Sequence, residues 1–206
     1  MKEIKVPDIV ISRLPLYLRA LELIALEGKE KVTSAELAER LNISPAQIRK
    51  DLSYFGGFGK QGRGYEVQRL ISELRRILNV QREWEMALVG VGDLGRALVH
   101  YQGFKNKGFR LSLLFDNNPQ KIGMKINGLE IMDSALIPKI IPEKGIKIAI
   151  IAVPPQEAQK VADALISAGV EAILNYAPVN LKVPPHVRVQ YIDPVVSLQH
   201  MTYYLR

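Results

Sequence analysis

The chain has 206 residues, 48% of them hydrophobic and 24% charged, with a formal net charge of +7, which is the composition of a globular protein with material for one large or two small cores. No cysteine is present, which excludes disulfides, thiolate metal sites and thiol redox switches, and the three histidines, His100, His186 and His200, are too scattered to suggest a metal cluster. The longest apolar runs, such as IAIIAV, fall far short of the roughly 20 residues that span a bilayer, and MKEIKVPDIV lacks the apolar core of a signal peptide, so a cytoplasmic protein is expected.

The first predicted element is a helix in SRLPLYLRALELIAL, where Leu14, Tyr17, Leu18, Leu21, Ile24 and Ala25 recur at three- and four-residue intervals. In VTSAELAERLNI, Thr33 followed three residues later by Glu36 forms a capping-box pattern, and Leu37, Ala38 and Leu41 supply an apolar face, so a second helix starts at about Ser34. A third starts after Ser44 as N-cap with Pro45 at the first position, where a missing N–H costs nothing. Two short helices joined by a turn of about three residues read as a helix-turn-helix, whose second helix can enter a DNA major groove. On it Ile48 and Leu52 face inward and leave Gln47, Arg49, Lys50, Ser53 and Tyr54 on the exposed sides. Arginine and glutamine suit base edges; lysine and hydroxyls, Ser44 included, suit phosphates.

Charge agrees with that placement. Residues 1–43 carry seven basic and seven acidic side chains, whereas residues 44–65 set Arg49, Lys50, Lys60 and Arg63 against Asp51 alone. The glycine-rich GGFGKQGRGYEV reads as a tight hairpin with Lys60, Gln61 and Arg63 at its tip, a wing able to approach a phosphate or minor groove. RLISELRRILNV then closes the module near Val80 with a fourth helix carrying Leu70, Ile71, Leu74, Ile77 and Leu78. The competing reading of this region is a helical hairpin with a solvated basic face.

From about residue 84 the pattern changes to short apolar runs, EMALVG, LSLLF, IKIAIIAV and VEAILNYA, separated by amphipathic segments. That is the requirement of a parallel sheet covered on both faces, and the class is α/β. GVGDLG (90–95) follows the first run and opens a helix: Gly90 for the turn, Gly92 for approach of a pyrophosphate, Gly95 for packing, with Val91, Asp93 and Leu94 between them at the helix N-terminus. Asp116 ends the next run 21 residues beyond Gly95, where an acidic residue is expected on an adenosine ribose, which favours NAD(H) over NADP(H). Asn117 follows it. The strand-end loops AVPPQ and NYAPV add Val153, Pro154, Asn175, Ala177 and Pro178 as candidate pocket residues.

Tyr101 and Lys105 have the spacing of a short-chain dehydrogenase pair, but they end the helix opened by the glycine loop instead of lying on a later one, and no length remains for a substrate domain. Binding without turnover is expected. DPVVSLQHMTYYL begins with Asp193 as a cap and Pro194 at the first turn, then runs without a charge to Arg206, so the helix is expected to insert into a partner subunit, with its own domain as the competing site.

Together SRLPLYLR, SPAQIRKDLSYFGGFGKQGRGY, GVGDLG, FDNNPQKIG, AVPPQEAQKVAD and ILNYAP resemble the Rex family of redox-sensing transcriptional repressors over essentially the full length. The resemblance implies a winged-helix DNA-binding domain (1–80), a Rossmann NAD(H) domain (81–191) and a C-terminal helix (192–206) exchanged in a homodimer. It implies that NADH closes the dimer and releases double-stranded, pseudo-palindromic operator DNA, while NAD⁺ permits binding. It adds Lys121 to the cofactor site and makes Arg19, Tyr101 and Asp193 a network linking head, cofactor and the neighbouring subunit's last helix. Pro194 departs from the family, many members having an aromatic residue there, near the partner's nicotinamide. Two readings stay open beside it: a small NAD-dependent oxidoreductase, and a winged-helix regulator of coenzyme A or another adenine nucleotide.

Overall fold

The computed structural model describes residues 6–60 and 64–205. They form two compact units divided between Arg82 and Glu83.

In the first unit α1 (Asp8–Leu26) is followed by β1 (Lys31–Val32), α2 (Ser34–Leu41), α3 (Pro45–Ser53), β2 (Gly59–Lys60), β3 (Gly64–Glu66) and α4 (Val67–Ile77). The local signals act as expected. Thr33 Oγ1 accepts from Glu36 N at 3.2 Å while Glu36 Oε2 accepts from Thr33 N at 2.7 Å, closing the capping box. Asn42 takes the left-handed conformation (φ 53°) that ends α2, and Ser44 Oγ caps α3 by accepting from Gln47 N at 3.2 Å. The core joins Leu14, Tyr17, Leu21 and Ile24 of α1 to Leu37, Ile48, Leu52, Leu70 and Leu74. α1 begins at Asp8, ahead of the expected stripe, because Val10 is also buried. β1, β3 and β2 form a three-stranded antiparallel sheet in which Lys60 pairs with Gly64, so the wing is a hairpin braced by a third strand.

The second unit runs β4 (Trp84–Val89), α5 (Asp93–His100), β5 (Phe109–Asp116), β6 (Lys125–Ile126), β7 (Leu129–Asp133), α6 (Ile137–Lys144), β8 (Ile148–Ile151), α7 (Pro155–Ser167), β9 (Ala172–Asn175), β10 (Arg188–Tyr191) and α8 (Pro194–Thr202). The sheet order is β10-β9-β8-β4-β5-β7-β6, and every pair is parallel except the edge strand β6 against β7. Counting only the parallel strands in chain order gives 3-2-1-4-5-6, the doubly wound arrangement whose ligand crevice lies where the order reverses. Here that point is between β4 and β8. Alternate side chains fill opposite faces: Ala87, Val89, Phe115, Ala149 and Ile151 pack with α6 and α7, while Met86, Leu88, Leu114 and Ile150 pack with Leu98 and Val99 of α5. No helix among the described residues is long and apolar enough to cross a membrane.

Three strands lie outside the four predicted runs. β6 and β7 form a hairpin through Asn127 (φ 50°) and Gly128 (φ 80°), and β10 extends the sheet beyond β9.

Candidate functional site

β4 delivers the chain to the switch point, and the three loop glycines are needed for three different reasons. Gly90 has φ +95°, and a Cβ on it would meet the Ala152 carbonyl oxygen at 2.5 Å, so β4 and the end of β8 approach each other only through a glycine. A Cβ on Gly95 would collide with the Gly90 carbonyl oxygen, which keeps α5 against its own loop. Gly92 is unlike either: its backbone is ordinary (φ −82°) and a Cβ there would meet nothing within 4 Å. The chain has no need of that vacancy for its own packing, and the vacancy is what a closely approaching pyrophosphate requires. Gly92 is also the N-cap of α5 and provides no side-chain cap, so the first N–H groups of α5 have no side-chain acceptor at the N-cap.

A cavity of about 600 Å³ opens at this point. Of the predicted cofactor residues, Gly90, Gly92, Asp116, Asn117, Lys121, Val153 and Pro154 line it. Its far wall, missed in the sequence reading, comes from Ser134 and Ala135 in the 3-10 turn before α6, from Ile137 and Pro138 at the start of α6, and from Glu157, Lys160, Val161 and Ala164 of α7. Glu157, Lys160 and Ala164 recur at helical spacing, the one pattern by which they were legible.

Asp116 holds the loop as well as lining the cavity. Its Oδ2 accepts from Val91 N at 2.8 Å and from Lys121 Nζ at 3.1 Å, and its Oδ1 accepts from Asn118 N at 2.9 Å. Three of a carboxylate's roughly four acceptor positions are thus occupied within the chain, leaving one for a ribose hydroxyl. Burial pushes this carboxyl up, and the N–H groups of Asn118 and Val91 with the Lys121 ammonium reverse that, leaving it below the usual aspartate value. A carboxyl depressed in the folded state stabilises above its unfolded value, about pH 3.9, and the contribution is lost as pH falls through the lower folded value. Asp116→Asn is therefore expected to cost about 2 kcal/mol near pH 7, with the gap to wild type closing below about pH 4 in thermal melts. A gap constant down to pH 3 would show that the ionised carboxylate is not what braces the loop.

Several predicted contacts have other work. Asn175 is fully buried: its Nδ2 donates to the carbonyls of Ala177 and Val179, both at 3.0 Å, and its Oδ1 accepts from Ala177 N at 3.0 Å. These bonds shape the NYAPV loop, and Asn175 is not among the residues that line the cavity. Ala177 and Val91 are buried, Pro178 is exposed, and none of the three lines the cavity. Asp93 and Leu94 are exposed in the first turn of α5, outside the cavity lining. Tyr101 is the C-cap of α5, 57% exposed, its ring edge-on to Phe104 with centroids 5.0 Å apart. A 3-10 turn, Gln102–Phe104, separates it from Lys105, so the two share no helix.

In the first unit Arg49 and Lys50 are exposed on α3, and Arg49 Nη1 donates to Ser34 Oγ at 2.9 Å. Gln47, expected on the exposed side, is half-buried, and its Nε2 donates inward to Asp51 Oδ1 at 2.7 Å. Ser53 donates its hydroxyl to the Lys50 carbonyl at 2.7 Å, so that hydrogen is not offered to a phosphate, and Tyr54 is the half-buried C-cap. Gly64, at φ +70°, lets β3 pass the Val32 carbonyl oxygen, which a Cβ would meet at 2.7 Å. The backbone of Lys60 lies in β2, while Gln61 and Arg63 fall outside the described residues. Arg19 is exposed on α1, and Asp193 caps α8 by accepting from Val195 N at 2.9 Å. α8 buries no residue, leaving Val195, Val196, Leu198 and Met201 more than half exposed. Among the described residues no group of histidines and acidic side chains is able to hold a metal ion.

Residues 81–179 match the family model of a CoA binding domain, and residues 5–53 that of a putative DNA-binding protein N-terminus. The redox-sensing transcriptional repressor Rex of Chloroflexus aurantiacus is 57% identical, over 97% of this chain and 94% of its own. The protein of the same name from Desulfitobacterium hafniense is 44% identical, over 98% and 97%. Among solved structures, RSP, a Rex-family repressor, superposes in its complex with NAD⁺ and operator DNA with a TM-score of 0.92 at 39% identity, over 97% of this chain and 92% of RSP. Its complex with NADH gives 0.88 at 37%, over 98% and 94%.

Proposed function

This chain belongs to the Rex family of redox-sensing transcriptional repressors, and on that premise we propose that it binds operator DNA through α3 and the β2–β3 wing and is released from it by NADH. The observation that carries the reading is the vacancy at Gly92, at the switch point of a sheet whose chain also supplies a helix-turn-helix with exposed Arg49 and Lys50. Gly90, Gly92 and the first turn of α5 hold the pyrophosphate, and the cavity walls with Asn117 and Lys121 take the adenosine half. Residues 1–80 are the DNA-binding domain, 81–191 the NAD(H) domain and 192–206 a helix exchanged in a homodimer, and the protein works in the cytoplasm. NADH supplies the signal by its redox state, and the protein responds by differential binding alone: a hundredfold drop in operator affinity requires NADH to favour the released state by about 2.7 kcal/mol. Arg19, Tyr101 and Asp193 link the two states, and Pro194, at the first position of α8, sets how sharply NADH is told from NAD⁺.

The test is displacement of a labelled operator duplex by NADH, with NAD⁺ and coenzyme A titrated in parallel. Release by NADH at concentrations where NAD⁺ is inert supports the reading. Release by coenzyme A alone, the outcome to which the match of residues 81–179 would point, replaces the ligand. No release by any of them removes the sensing function.

The two basic side chains of α3 should separate in the same assay. Lys50→Ala is expected to weaken operator and random duplex alike and to flatten the salt dependence by about one unit, whereas Arg49→Ala costs about 1–3 kcal/mol on the operator with a smaller effect on random DNA. Equal losses on both duplexes would take Arg49 off the base edges.

A further inference from the structure

Asp51 is the one charged residue of α3 that faces inward, and its side chain is fully buried. It receives four hydrogen bonds: from Arg13 Nε at 2.6 Å and Nη2 at 2.8 Å, from the Tyr17 hydroxyl at 2.6 Å and from Gln47 Nε2 at 2.7 Å. Every acceptor position of the carboxylate is filled. Arg13 and Tyr17 lie one turn apart on α1, and Gln47 and Asp51 one turn apart on α3, so the cluster ties the two helices face to face.

Apolar packing of Ile48 and Leu52 buries α3 but tolerates small rotations and slips, since dispersion contacts are non-directional. A bidentate guanidinium–carboxylate pair with two further donors is directional and tolerates neither. A buried ion pair is also a poor source of stability compared with apolar side chains of the same volume, so stability alone does not account for this one. Arg49 and Lys50 immediately precede Asp51 on the same short helix.

We propose that Asp51 is a positioning residue for DNA recognition, clamped by Arg13, Tyr17 and Gln47 so that Arg49 and Lys50 meet the duplex in one rotational setting. The inference rests on the reading of α3 as the recognition helix.

The test begins by selecting a duplex from a random library with the full-length wild-type protein. Binding of that duplex and of a scrambled duplex of equal length is then compared for Tyr17→Phe, which keeps the buried ring and removes one donor, and for Asp51→Asn. Tyr17→Phe is expected to bind the selected duplex about tenfold more weakly while the scrambled duplex stays within about twofold. NADH titration of the same variant should match wild type. Asp51→Asn is expected to erase most of the preference. Equal losses on both duplexes, or an unchanged preference in Tyr17→Phe, would overturn the clamp and reduce the cluster to a fold element. Failure of the wild-type protein to select any duplex would instead overturn the recognition-helix reading and the clamp with it. If Asp51→Asn does not fold, Tyr17→Phe alone decides.

Discussion

Gly92→Val is expected to lose at least about a hundredfold in NADH affinity while melting within a few degrees of wild type. The fold tolerates the change because φ −82° is ordinary for any L-residue and the new Cβ meets nothing within 4 Å. Restricting the unfolded chain also offsets part of any local cost. The same branched side chain fills the space through which a pyrophosphate reaches the backbone of the loop. Gly90→Ala and Gly95→Ala are the controls, since both side chains run into backbone carbonyls, of Ala152 and Gly90 respectively, and Gly90 adds a left-handed φ. Those two variants should lose stability and binding together. Calorimetric titration with NADH alongside thermal melts separates the profiles: a Gly92→Val protein that binds NADH as wild type does would mean that the cofactor does not cross this loop. A Gly92→Val protein without NADH binding should still hold operator DNA and no longer release it, which connects the vacancy to regulation.

Signals confined to a few adjacent residues were the ones legible in the sequence. Thr33 with Glu36 and Ser44 with Pro45 name their own helix starts, because a cap is satisfied by the backbone two or three residues away. The glycine loop was legible for the same reason, its turn, strand and helix being contiguous. What escaped depended on partners remote in the chain. Asp51 enters the sequence reading only as the lone acidic charge of residues 44–65, and it takes Arg13 and Tyr17, 38 and 34 residues earlier, to make it an interior residue. Asp116, expected on an adenosine ribose from its distance to Gly95, lines the cavity, and its bonds to Val91 and Lys121, which no spacing announces, hold the loop. The α6 and α7 walls of the cavity belong to elements that meet only after the sheet has formed. One local signal lies outside the predicted runs: Asn127-Gly128 is a strong short hairpin signal, but β6, with only two residues, is too short to show a strand's alternation beside it.

Removal of residues 193–206 is expected to convert a dimer into a monomer, with self-association weakened by at least about a hundredfold. The described fold has little to lose, since no residue of α8 is buried. Val195, Leu198 and Met201 follow one another at three-residue spacing along one face, 54%, 59% and 60% exposed, and Val196 stands 61% exposed beside them. Covering four such side chains is worth on the order of 5 kcal/mol, enough for that hundredfold and more. A charge should act like the deletion: Leu198→Asp places a carboxylate in the middle of the face that has to be desolvated. Mass measurement in solution across a concentration series gives the association constant, and thermal melting shows that the remainder still folds. Operator affinity should fall further than either half-site contact accounts for, because two heads on one dimer bind the second half-site at high effective concentration. A truncated chain that remains dimeric would place the dimer contact elsewhere and leave the apolar face of α8 to a different partner.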